Sequence, residues 1–123
     1  VNILIADDEL LIRKTLKKVF EQKGFNVLMC ADGQEALDQW VAFEPDLVIL
    51  DVIMPLKGGV DVLKEVQGHK DYEKAKIIVI SAYSAGGTKE EFLKMGAVDF
   101  VRKPFENIFA FVDHCLDFVG RAH

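Results

Sequence analysis

No stretch of this chain stays apolar for the roughly 18 residues that a membrane-spanning helix needs, and nothing at its start reads as a charged leader with an apolar core and a cleavage site. A cytoplasmic location without a membrane partner is therefore expected. Cysteine is scarce: Cys30 and Cys115 have neither CxxC spacing nor a histidine at metal-ligand separation, so both are expected as small buried hydrophobes in a reducing compartment. Spacing alone leaves a disulfide open. Basic charge is in deficit, with 15 Lys and Arg against 20 Asp and Glu and a net charge of −5, which argues against a nucleic-acid surface. No GxGxxG follows the first strand-like run, and repeats, low-complexity tracts and linkers are lacking.

What is present is a chain of 123 residues, half of them apolar, long enough to bury one core without staples. A single domain over 1–123 is expected. The chain begins on Val1 without a methionine, which leaves room for flanking regions. Strand-like runs at 2–6, 25–30, 46–51, 76–81 and 98–101 alternate with helical patterns. Leu10, Leu11, Thr15, Leu16, Val19 and Phe20 define a first helix closed by Gly24; Asp32 can cap a second, which ends before Pro45. A third runs from about Gly59 to Gln67, a fourth from about Thr88 to Met95 before Gly96, and the last is expected from Pro104 to about Val119. Five strands alternating with five helices imply an α/β, flavodoxin-like, doubly wound parallel sheet of order 2-1-3-4-5.

In such a sheet ligands bind beyond the carboxyl ends of the strands. Polar residues mark that edge: Asp7 and Asp8 followed by Glu9 after strand 1, Asp51 ending strand 3, Ser81 ending strand 4, and Lys103 and Pro104 after strand 5. Any one of these is as readily a strand end or a helix cap. As a set, three neighbouring carboxylates would repel unless a cation joined them, and hard oxygen ligands suit Mg²⁺. Asp51 would then serve as a nucleophile toward phosphorus, with the metal and Lys103 neutralising the phosphoryl oxygens and Ser81 donating a hydroxyl hydrogen bond.

IADDE, LDVIMP with Gly59 four residues after Pro55, ISA at 80–82, GAVDF at 96–100 and RKPF at 102–105 together resemble the receiver domain of a two-component response regulator, over essentially the whole chain. The resemblance implies phosphotransfer to Asp51 from a histidine kinase or phosphotransfer protein, and slow self-dephosphorylation rather than turnover of external substrates. It implies Mg²⁺ held by Asp8, Asp51 and the backbone carbonyl of Ile53, with Asp7 acting mostly through water. Ser81 and Lys103 would report the phosphate to the face made by the fourth helix, fifth strand and fifth helix. Phe100, three residues before Lys103, stands where the family carries an aromatic or histidine rotor; having no hydroxyl, it would switch by packing, or else serve as a fixed core residue. Ile53 and Tyr83 occupy variable positions expected to shield the phosphoryl group from water.

Gly86 and Gly87 weaken the start of the fourth helix, as a switch or an ordinary loop would. On the last helix, Phe105, Ile108, Phe109, Val112, Leu116 and Val119 read as the core stripe, with Phe111, Cys115 and Phe118 widening the apolar arc. Phe111 and Phe118 are therefore expected on an exposed partner face, suited to a homodimer through helices 4 and 5, or folded against the fourth helix. Asp113, His114 and Asp117 read as a solvated face, with His114 and His69 lacking partners for catalysis. Three rivals read less well. A haloacid-dehalogenase-like phosphohydrolase would need an acid where Ile53 stands, a flavin binder would need a hydroxyl-rich loop in place of DDELL, and a receiver-like module that never takes phosphate has no reason to keep the full polar set.

Overall fold

A computed structural model describes residues 1–82 and 87–120 of the chain. Its element order is β1 (Asn2–Ala6), α1 (Leu10–Gln22), β2 (Asn26–Cys30), α2 (Gly33–Phe43), β3 (Leu47–Asp51), α3 (Gly59–Val66), a 3-10 turn (Lys70–Tyr72), β4 (Lys76–Ala82), α4 (Lys89–Lys94), β5 (Asp99–Lys103) and α5 (Ile108–Leu116). The five strands form one parallel sheet in the order β2-β1-β3-β4-β5, as the alternating pattern predicts. Two turns of sequence logic hold at the helix ends. Asp32 accepts the Glu35 amide at 2.7 Å while Glu35 accepts the Ala31 amide at 2.8 Å, capping α2 reciprocally. Gly24, with φ of +91°, closes α1 in the left-handed region.

Period-two alternation splits the sheet's side chains between two cores. Leu4, Val48, Leu50 and Val79 point toward Trp40, Leu63 and Phe92 on the α2, α3 and α4 face. Ile3, Ile5, Ile49, Ile78 and Ile80 point toward Leu16, Phe20, Val112 and Leu116 on the α1 and α5 face. Central β3, covered on both sides, is buried along its whole length, which is why LVILD reads as an unbroken run rather than an alternation.

Three expectations need correction. The last helix does not start at Pro104: the Lys103–Pro104 peptide is cis, and α5 begins at Ile108 because Asn107 accepts the amides of Phe109 at 2.9 Å and Ala110 at 3.1 Å. Strand β5 runs on to Lys103 rather than stopping at 101, since Ala82 extends β4 by one residue, and Ser81 and Ala82 pair with Arg102 and Lys103. Phe111 is buried, and Phe109 is the exposed ring at 58%. Phe105 stacks on Phe111 with ring centroids 4.0 Å apart, which draws residue 111 into the core and turns residue 109 outward.

Candidate functional site

Three strand ends and one loop deliver the charged groups. Asp7 follows β1, Asp51 is the last residue of β3 and Lys103 the last of β5. The backbone holds the ends of these strands before any side chain contributes: the Asp7 amide donates to the Cys30 carbonyl at 3.1 Å, the Val52 amide, next to Asp51, to the Ile80 carbonyl at 3.1 Å, and Lys103 pairs with Ala82 in the sheet. Lys103 Nζ then donates to Asp7 Oδ2 at 3.0 Å, Asp51 Oδ2 at 3.2 Å and Glu9 Oε1 at 2.8 Å. Asp7, Asp51 and Lys103 are buried, whereas the Glu9 side chain is 59% exposed. Asp7 is further held by the Glu9 amide, which donates to its Oδ1 at 2.8 Å, and by Arg13, which donates to its carbonyl at 2.7 Å.

Burial sets the electrostatics. It raises the Asp51 carboxyl to about 6, helped by the neighbouring charges of Asp7 and Asp8 and opposed by Lys103. Burial also raises Asp7 above its ordinary value, outweighing the Glu9 amide and Lys103. For Lys103 burial alone would depress the ammonium; hydrogen bonds to Glu9 and Asp7 and the charges of Asp7 and Asp51 reverse this and hold it above its ordinary range. Carboxylate oxygens of Asp7, Asp8 and Asp51 lie within 4.8 Å of one another, with Asp8 exposed at the mouth. A hard, all-oxygen donor set carrying more negative charge than one lysine can balance fits a divalent cation.

Other expected residues fall around this centre. Ser81 is buried, and its hydroxyl donates to the Ala82 carbonyl at 3.1 Å, outside the Lys103 network. Ile53 is 62% exposed just beyond Asp51. Tyr83 and Gly86 lie outside the described residues. Phe100 is half-buried, stacked on Phe92 of α4 with centroids 5.3 Å apart and planes 10° apart, with the Arg102 guanidinium 5.1 Å from its ring centre. Phe118 is half-buried against the α1 and α5 core, edge-on to His114 at 5.4 Å. Its expected neighbour on a partner face, Phe111, is buried instead, so the pair does not form an exposed strip.

Sequence reasoning missed two features. Glu9 joins the Lys103 network, although an acid directly after DD carries no signal beyond helix initiation. His114, expected only as part of a solvated face with no partner for catalysis, meets the buried Asp99 through Nε2 at 2.5 Å, and Lys89 reaches the same carboxylate at 3.2 Å. Asp99 on β5 thereby ties α4 to α5. Burial would raise the Asp99 carboxyl, but hydrogen bonds from His114, the Phe100 amide and Lys89 hold it below its ordinary value.

Comparison with known proteins matches residues 3–109 to the family described as the response regulator receiver domain. Response regulator RR06 of Streptococcus pneumoniae is 38% identical over 105 residues, covering 85% of this chain and 47% of its own length. Chemotaxis protein CheY of Thermotoga maritima is 37% identical over 106 residues, covering 85% of this chain and 87% of its own. The chain thus spans about half of RR06 and 22% of the Escherichia coli regulatory protein AtoC, to which it is 36% identical. Among solved structures, the receiver domain of Francisella response regulator 1452 superposes with a TM-score of 0.85 at 30% identity, covering 98% of this chain and 97% of that one.

Proposed function

Because this chain belongs to the response regulator receiver family, we propose that residues 1–123 form one cytoplasmic phosphoacceptor switch in which Asp51 takes a phosphoryl group from a histidine kinase or phosphotransfer protein. The observation that carries this reading is the buried Asp51 carboxylate, 3.2 Å from the Lys103 ammonium and within 4.8 Å of the Asp7 and Asp8 oxygens. Asp7, Asp8 and Asp51, with the Ile53 carbonyl, would hold Mg²⁺, which when bound supplies positive charge for the phosphoryl oxygens.

An Asp51 oxygen attacks phosphorus in line; the new P–O bond forms as the P–N bond to the donor imidazole breaks, and the imidazole takes up a proton as it departs. Lys103 steadies the charge on the transferring group. Ser81 turns its hydroxyl from the Ala82 carbonyl to a phosphoryl oxygen. That movement opens space toward Phe100, whose ring shifts against Phe92 and so changes the α4, β5 and α5 face, where an output partner or a second copy of the chain binds. Ile53 and Tyr83 slow attack by water, so Ile53→Asn should speed decay of the phosphorylated form.

Acetyl phosphate with Mg²⁺, followed by intact-mass measurement, tests the reading. The expected result is a mass gain of one phosphoryl group that needs Mg²⁺ and is lost in Asp51→Asn. Labelling that persists undiminished in that variant overturns it.

A further inference from the structure

An ammonium carries three N–H donors. Lys103 directs hydrogen bonds at three carboxylates, Glu9 at 2.8 Å, Asp7 at 3.0 Å and Asp51 at 3.2 Å, so no donor is left over for a phosphoryl oxygen. Phosphotransfer to Asp51 requires one of the three to let go. Asp7 is fully buried, so water cannot take the place of the ammonium on its Oδ2. Asp51 is itself the acceptor and remains beside the ammonium. Glu9 is the exception: its side chain is 59% exposed, so water can replace the ammonium at small cost.

Local capping does not explain where the Glu9 side chain goes. The residue occupies the N-cap position of α1, yet its side chain makes no capping hydrogen bond. Its carboxylate instead reaches across the site to a lysine 94 residues away in sequence.

We propose that Glu9 is a positioning residue that occupies the third donor of Lys103 in the resting protein and is displaced when a phosphoryl group reaches Asp51. The inference rests on the phosphoacceptor reading above. Glu9 acts as an internal competitor: it holds the ammonium aimed into the cup, at the expense of weaker capture of the incoming dianion.

The test measures initial rates of Asp51 labelling against acetyl phosphate concentration, and beryllofluoride binding by NMR titration, both with Mg²⁺. Glu9→Gln keeps the size of the side chain and removes its charge, and Glu9→Ala removes the contact altogether. Both should lower the half-saturating concentrations by about two- to fivefold, the range expected for releasing an exposed ion pair. In a Lys103→Ala background the same substitutions should give no gain in beryllofluoride binding, because the coupling runs through the ammonium. Wild-type labelling with unchanged half-saturation in both Glu9 variants overturns the role of Glu9 alone, and so does a gain that survives Lys103→Ala. A wild type that takes neither probe overturns the phosphoacceptor reading and this inference with it.

Discussion

Gly59 has no room for a methyl group. A Cβ there would stand 2.6 Å from the Asp51 carbonyl oxygen and 3.1 Å from Val52 Cα, and both are backbone atoms with nowhere to yield. The same glycine donates its amide to the Val52 carbonyl at 2.8 Å, so the start of α3 is pressed directly onto the end of β3. Gly59→Ala should therefore destabilise the fold by about 1–3 kcal/mol, as overpacking does, and should slow labelling of Asp51 because relief must come from the backbone that aims it. A urea titration read beside the acetyl phosphate rate checks both. An unchanged midpoint would mean that the loop relaxes freely. At this scale much of the site was legible: Asp51 stood out because a wholly apolar run ended in a carboxylate, and Lys103 because a cation followed the last strand. Glu9 was not legible as a ligand of Lys103, since only the folded chain brings a lysine 94 positions away onto its carboxylate.

Elements were legible in number, order and topology, and least so where apolar residues leave a helix several ways to turn. Ile108, Phe109, Phe111, Val112, Cys115 and Leu116 cover much of the circumference of α5, so periodicity admits more than one inward face. Asn107 decides where the helix starts and the Phe105 ring decides which face is buried, and both choices are tertiary. Phe111→Ala should accordingly cost about 3–5 kcal/mol, as loss of a buried aromatic does, while Phe109→Ala should change stability by less than about 1 kcal/mol. Denaturant midpoints of the two variants, reversed in order, would restore the face expected from the sequence. The tie between α4 and α5 makes a pH prediction. Because Asp99 is held below its ordinary value when folded, its contribution is fully present above the unfolded value of about 3.9 and fades as pH falls through the lower folded value. Asp99→Asn should lower stability at neutral pH by about 1–2 kcal/mol and flatten the acid limb of the stability curve below about pH 4. Thermal midpoints recorded from neutral pH down to pH 2–3, with wild type and variant showing parallel slopes, would rule this out.

Across the whole molecule, the strongest conflict is between the core that buries β3 and the charge at its end. The sheet places Asp7 and Asp51 out of water beside Asp8, with Lys103 as the cation they share. With its carboxyl raised to about 6, Asp51 binds a proton more tightly folded than unfolded, so its contribution is fully present below about pH 3.9 and is lost as pH rises through about 6. At neutral pH and without a divalent ion the ionised carboxylate therefore works against the fold. Asp51→Asn removes that charge while keeping the side chain's shape, and should raise the thermal midpoint of the metal-free protein by about 2–6 °C, the shift that roughly 1 kcal/mol gives in a domain of this size. Adding Mg²⁺ should then raise the wild type, because an ion that binds the folded cup and not the unfolded chain stabilises by mass action. The Asn variant, left with Asp7 and Asp8, should respond less. Calorimetry of both proteins with and without Mg²⁺ separates this from a merely structural carboxylate: if Asp51 were an ordinary ion-pair partner of Lys103, its replacement would lower the metal-free midpoint and Mg²⁺ would move the two proteins alike.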